Sequence, residues 1–106
     1  MRRGDLHWAD LGRRTGRRPA VVLTRDEVLP FLESIVVAPV TKTIRDIGSE
    51  VPVGPEEGLD EASTINCDNL ITIGKSRLET VPIGSLSATK IQRLDRALRF
   101  ALAIRY

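Results

Sequence analysis

The stretch RPAVVLTR, residues 18–25, decides the fold. Ala20, Val21, Val22 and Leu23 are apolar without a break, so an extended chain there buries both faces. That marks a strand inside a sheet rather than at its edge. Pro19 has no N–H to give to a ladder and fits only near the strand's start. A second segment of the same length, SIVVAPVT (34–41), has the same character and ends on a polar threonine. The connector DEVLPFLE (26–33) holds at most one helical turn, because Pro30 breaks anything longer. Paired antiparallel from Arg25 opposite Ser34, the two strands run out with Arg18 opposite Thr41, at the sheet end away from the connector.

A guanidinium beside a hydroxyl at a sheet end fits a phosphate. Guanidinium is planar, always charged, and gives two parallel hydrogen bonds to phosphate oxygens. A threonine hydroxyl can donate to a third. Together they can stabilise the added charge of a pentacoordinate phosphorane. The plainer reading is that Arg18 pairs with a carboxylate and Thr41 merely ends a strand.

Around this pair the chain reads as short strands. GDLHWADL (4–11) alternates loosely and precedes a glycine-bounded loop, GRRTG (12–16). SEVPVG (49–54) reads as a short edge-like strand and PEEGLDEA (55–62) as an acidic loop. STINCDN (63–69), LITIGKSRL (70–78) and ETVPIGSL (79–86) read as further strands with turns. The ending differs: Ser87 is an N-cap, and Ile91, Leu94, Leu98 and Ala101 or Leu102 recur at helical spacing. Several strands followed by one amphipathic helix predict a small, strongly bent sheet or barrel with a helix packed on it.

The 106 residues predict a single domain over 1–106, large enough to bury a core without staples. One cysteine, Cys67, excludes an internal disulfide. Without a bridge, a leader-like segment or an apolar run near membrane-spanning length, the reading is cytoplasmic, with no membrane. The net charge of +2 hides an asymmetry. Residues 1–25 hold seven arginines against Asp5 and Asp10, while residues 50–69 hold six carboxylates and no Lys or Arg. The basic end favours a polyanion such as RNA or DNA, or is simply a solvated face. The acidic 50–69 segment is either a loose surface loop or a limit on which RNA approaches.

RRGDLHWADL, RRPAVVLTRD, IVVAPVT and CDNLITIGKSRL, followed by a C-terminal helix, resemble in order and spacing the MazF/PemK family of toxin endoribonucleases, over nearly the whole chain. The resemblance implies a compact SH3-like barrel of the CcdB/PemK type with a C-terminal amphipathic helix, forming a homodimer. It implies metal-independent, sequence-specific cleavage of single-stranded RNA without a cofactor. The RNA's own 2′-hydroxyl would attack, leaving a 2′,3′-cyclic phosphate and a 5′-hydroxyl. The partner would be a cognate antitoxin with an acidic flexible tail. The family's catalytic arginine and threonine fall on Arg18 and Thr41. The CDN block places Asp68 and Asn69 in the base-reading groove, and Arg13, Arg14 and Arg17 supply charge for the RNA backbone. The loop GRRTGR is shorter and more basic than in many relatives, which predicts a more open groove.

Other residues read more plainly. His7, the one histidine, sits among scaffold positions of the first strand, although it is the obvious candidate base. Asp5 caps a turn or pairs with an arginine. Trp8 is a core residue or a stacking surface for a base. Cys67 behaves as a small buried apolar residue. Gly74-Lys75-Ser76 ends like a phosphate-binding loop, but Asn69 stands where that motif needs glycine. Two alternatives remain: a non-catalytic CcdB-like toxin that binds DNA gyrase, and an inactive SH3-like binding module.

Overall fold

The computed structural model describes residues 1–105. It is mostly β: a curled half-barrel sheet with one C-terminal helix. The strands are β1 (Asp5–Asp10), β2 (Arg17–Val22), β3 (Ser34–Thr41), β4 (Glu50–Val53), β5 (Ser63–Asn66), β6 (Ile71–Gly74) and β7 (Gly84–Ser85). The helix α1 spans Ala88–Leu102. The order across the sheet is β4-β5-β3-β2-β1-β7, with β6 also on β3, and all these pairings are antiparallel.

β3 is the hinge of the curl. One edge pairs with β2. The other is shared, Ser34–Val37 with β6 and Val40–Thr41 with β5. Passing from one partner to another along a single edge bends the sheet. The bend creates two cores on opposite faces of β2. Val21 and Leu23 join Leu6, Val40, Val51, Ile65 and Leu94 beneath the helix. Ala20 and Val22 join Ala9, Leu29, Ile35, Val37 and Leu78 on the other side. Alternate residues of a strand point to opposite faces, so a strand between two cores is apolar throughout.

The register between β2 and β3 is the one expected from the sequence: Ala20 faces Pro39, Val21 faces Ala38 and Val22 faces Val37. The ladder stops at Ala20 because Pro19 has no N–H to extend it. Arg18 and Thr41 lie beyond this last pair, at the open end, and both line the cleft there. At the other end β2 is shorter than expected and stops at Val22 rather than Arg25. The Thr24 hydroxyl there accepts from Val36 N at 2.8 Å, a side chain replacing the backbone carbonyl.

The helix starts where Ser87 Oγ accepts from Lys90 N at 3.2 Å. It ends where Ala103 turns left-handed, with φ 56°. Leu94 and Ala97 are its buried positions, with Ile91, Leu98 and Ala101 packed beside them. Leu102 is 53% exposed, so Ala101 carries the last turn's contact. No helix among the described residues is long and apolar enough to cross a membrane.

The acidic 50–69 segment is built into the fold rather than loose. Pro55–Glu57 forms a 3-10 turn, and Glu57 is only 3% exposed. Its carboxylate accepts from Lys90 Nζ at 3.0 and 2.9 Å and from Gly54 N at 2.8 Å. The turn lies against the chain before α1 so closely that a Cβ on Gly84 would stand 2.0 Å from Glu57 O. Only glycine allows that approach.

Candidate functional site

The open end of β2 and β3 forms one side of a cleft of about 560 Å³. Arg17, Arg18, Thr41 and Lys42 line that side, and Asp60 and Glu61 come to it from the acidic segment. Trp8, Pro19 and Ser63 also line it. The structure therefore brings together three of the residues singled out from sequence: Arg18, Thr41 and Arg17. It does not bring the others there. Arg13 and Arg14 are exposed in the tight turn between β1 and β2, outside the cleft lining. Asp68 and Asn69 are exposed beyond the far end of β5, whose first residue, Ser63, is the one in the cleft. Asp68 accepts there from Ser49 Oγ at 2.5 Å.

The key side chains are held so that donors remain for a ligand. Arg18 Nε donates to Thr15 O at 3.1 Å, which fixes the stem and leaves the two terminal nitrogens. Thr41 Oγ1 accepts from Thr43 N at 3.2 Å. A hydroxyl that accepts can still donate its own proton, so Thr41 can give a hydrogen bond into the cleft. The plainer reading of Arg18, a carboxylate partner, is absent among the described residues; its neighbour Arg17 is the one paired, to Glu79. Lys42 meets Glu61 at 2.6 Å, and that hydrogen bond and charge raise its pKa above the ordinary value.

His7 is fully buried and its ring reaches Glu79 O at 2.6 Å through Nδ1. A carbonyl can only accept, so Nδ1 carries the proton. Nε2 is buried with no hydrogen-bond partner among the described residues and lies 4.0 Å from Asp5 Oδ2. A general base must reach the proton it removes, and His7 is not among the cleft-lining residues. Asp5 caps the turn before β1, accepting from Arg2 N and Ser85 Oγ, each at 2.9 Å. Trp8 is half-buried in the cleft rather than core. Cys67 is buried in the core beneath the helix, and burial, then the Asp68 charge, push its thiol up to about 11. Lys75, from the segment that resembles a phosphate loop, is spent on Leu29 O at 2.6 Å. Among the described residues no three His, Cys, Asp or Glu side chains are grouped to hold a metal ion.

Lys42, Asp60, Glu61 and Ser63 were not singled out by sequence. Lys42 had a signal, since it directly follows Thr41. The other three come from a distant segment carried to the cleft by the Glu57–Lys90 and Gly84 contacts, which no local pattern specifies.

The chain is similar to known proteins over nearly its whole length. Residues 2–102 match the family described as PemK-like, MazF-like toxin of type II toxin-antitoxin system. The chain is 43% identical over 93 residues to Endoribonuclease MazF3 of Mycobacterium tuberculosis, covering 88% of this chain and 86% of that one. It is 34% identical over 101 residues to Probable endoribonuclease MazF5 of the same organism, covering 94% and 91%. Among solved structures, the Mycobacterium tuberculosis toxin MazF-mt6 superposes with a TM-score of 0.89 at 36% identity, over 96% of this chain and 99% of that one. An endoribonuclease in complex with its cognate antitoxin from Mycobacterial species gives 0.87 at 26% identity, over 100% and 98%.

Proposed function

The chain belongs to the PemK-like, MazF-like family of toxins of type II toxin–antitoxin systems, and from that premise we propose that it is an endoribonuclease whose cleft cuts single-stranded RNA. The observation that supports the reading is that Arg18 and Thr41 line one cleft just beyond the last β2–β3 pair, and among the described residues the Arg18 terminal nitrogens and the Thr41 hydroxyl proton have no protein acceptor. Its curated relatives are endoribonucleases by name.

The chemistry follows from those two side chains. The 2′-oxygen of the RNA bonds to the adjacent phosphorus while the P–O5′ bond breaks. One product ends in a 2′,3′-cyclic phosphate and the other in a 5′-hydroxyl. The 2′-hydroxyl loses a proton and O5′ gains one. Between these events the phosphorus carries five oxygens and extra negative charge. The terminal nitrogens of Arg18 and the hydroxyl of Thr41 donate to those oxygens and bind that charge more strongly than the starting phosphodiester. Arg18 is not the proton acceptor, since a guanidinium stays charged below pH ~12. Asp60 and Glu61 are the carboxylates that line the cleft, and Glu61 is engaged by Lys42. That leaves Asp60 as the acceptor the cleft offers. No step needs a metal ion or cofactor.

Arg13 and Arg14 extend the positive charge along the path of the RNA backbone. Asp68 and Asn69 would meet bases where the strand runs past the far end of β5, or across a second copy in a homodimer. A cognate antitoxin partner is supported by the mycobacterial relative in complex with its cognate antitoxin, and an acidic flexible tail on it fits the arginine side of the cleft by charge. An RNA substrate supports a cytoplasmic activity, carried by a single domain.

The test is a mixed pool of single-stranded RNA incubated with the purified protein in EDTA, with the ends mapped. Cuts with 5′-hydroxyl ends are expected. A folded protein that leaves the pool uncut would overturn the reading and turn attention to gyrase binding.

A further inference from the structure

The two arginines at the mouth of β2 are held differently. Trp8 faces Pro19 and Asp10 faces Arg17 across the β1–β2 hairpin, so Arg17 and Trp8 are diagonal neighbours, within reach of each other. The Arg17 guanidinium carbon lies over the Trp8 ring, 4.4 Å from its centroid. At that distance the ring face attracts the cation. The same guanidinium is ion-paired with Glu79. Glu79 is in turn clamped to β1, its N donating to Trp8 O at 2.8 Å and its O accepting from His7 at 2.6 Å. Arg17 is thus gripped by a ring and by a carboxylate on a fixed backbone. Among the described residues Arg18 has only the Thr15 carbonyl.

A phosphate seeks unmatched positive charge, which Arg18 offers and Arg17 does not. A base offers a neutral π-face, and RNA bases stack on guanidinium planes as they do on aromatic rings. Arg17 occupies a face of Trp8 that a base would otherwise use. We propose that Arg17, resting on Trp8, is the plate on which one base of the bound RNA stacks next to the phosphate held by Arg18, and that Glu79 is the positioning residue that keeps the plate in place. This deepens the RNA-cleaving reading above and rests on it.

Binding is measured with an RNA carrying the mapped cut site and a 2′-deoxy nucleotide there, so that it binds uncut. In a series of such RNAs each base near the cut is removed in turn. For the wild type, removal at one position is expected to weaken binding roughly tenfold. Arg17→Lys keeps the charge but not the planar fork. In it that penalty should fall below about twofold, while the salt dependence of binding stays as in the wild type. Glu79→Gln should reduce the same penalty without changing affinity for the RNA that lacks that base. Arg18→Ala should keep the penalty and lose about 0.7 from the slope of log K against log salt. Far-ultraviolet circular dichroism and thermal unfolding check that each variant keeps the fold. A full penalty retained in Arg17→Lys, or a salt slope reduced by about 0.7 in Arg17→Ala, would overturn the proposal. RNA bound without any Arg17-dependent base penalty defeats this proposal alone. A wild type that binds no RNA at low salt defeats the reading beneath it as well.

Discussion

The two walls of the cleft carry opposite charge and are held in opposite ways. On the acidic side, Glu57 lies outside the lining and anchors the segment that brings Asp60 and Glu61 to the cleft: it is 3% exposed and its side chain meets Lys90 through two oxygens, beneath a backbone packed against Gly84. On the basic side, Arg18 is exposed and tethered by a single hydrogen bond from Nε. A buried charge must be matched, or its lost hydration is not recovered. A charge meant for a ligand must stay unmatched and reachable. The difference separates scaffold charges from working ones. Net charge alone cannot do so.

The comparison breaks if activity and stability do not separate along it. The largest effect is expected for Arg18→Ala, a loss of about 10³-fold in RNA cleavage rate, measured under single-turnover conditions. Next, Glu57→Ala should cost about 3 kcal/mol, because it takes both close carboxylate contacts from Lys90 in a mostly buried site and leaves it the exposed Glu56 at 3.7 Å. Thermal unfolding should then show a midpoint lowered by roughly 10–20 °C, and a near-unchanged midpoint would remove Glu57 from the scaffold. A smaller effect sits at Cys67. The unfolded thiol ionises near 9.0, whereas the folded one resists to about 11. The folded pKa is the higher, so its contribution is intact below pH 9 and is lost as pH rises toward 11. Denaturant unfolding across that window should show the wild type losing on the order of 2 kcal/mol more than Cys67→Ala. Equal losses in both would show that the thiol is not desolvated. The smallest effect is at Glu61→Gln. Lys42 and Glu61 are both well exposed, and exposed pairs add little. Calorimetry should find the melting temperature unchanged, and a marked drop would place Glu61 among the scaffold charges.

The sheet's centre was legible because its physics is local. Two eight-residue segments apolar on both faces specify a strand between two cores, and their equal length sets a register that the Ala20–Pro39 pair shows. That register put Arg18 and Thr41 at one end of the sheet. The helix was legible from Ser87 and the Leu94 face. The end of β2 was not, because a side chain, Thr24, takes over a backbone hydrogen bond. The opposite wall was not, because it depends on contacts between distant parts of the chain: Glu57 with Lys90, and Gly58 and Gly84 allowing two backbones to touch. An acidic run reads the same whether it is loose or pinned. Asp68 and Asn69 lie outside the cleft for a related reason. β5 reaches the cleft with Ser63, and the CDN block that follows the strand points its turn to the other end.

The most direct test measures Arg18→Ala twice on one preparation, once for single-turnover cleavage of RNA and once for unfolding. The account predicts a rate lower by about 10³-fold with stability within ~0.5 kcal/mol of the wild type, as for an exposed surface residue. A variant that cuts RNA at the wild-type rate, or one that loses activity only in proportion to lost folding, would contradict it.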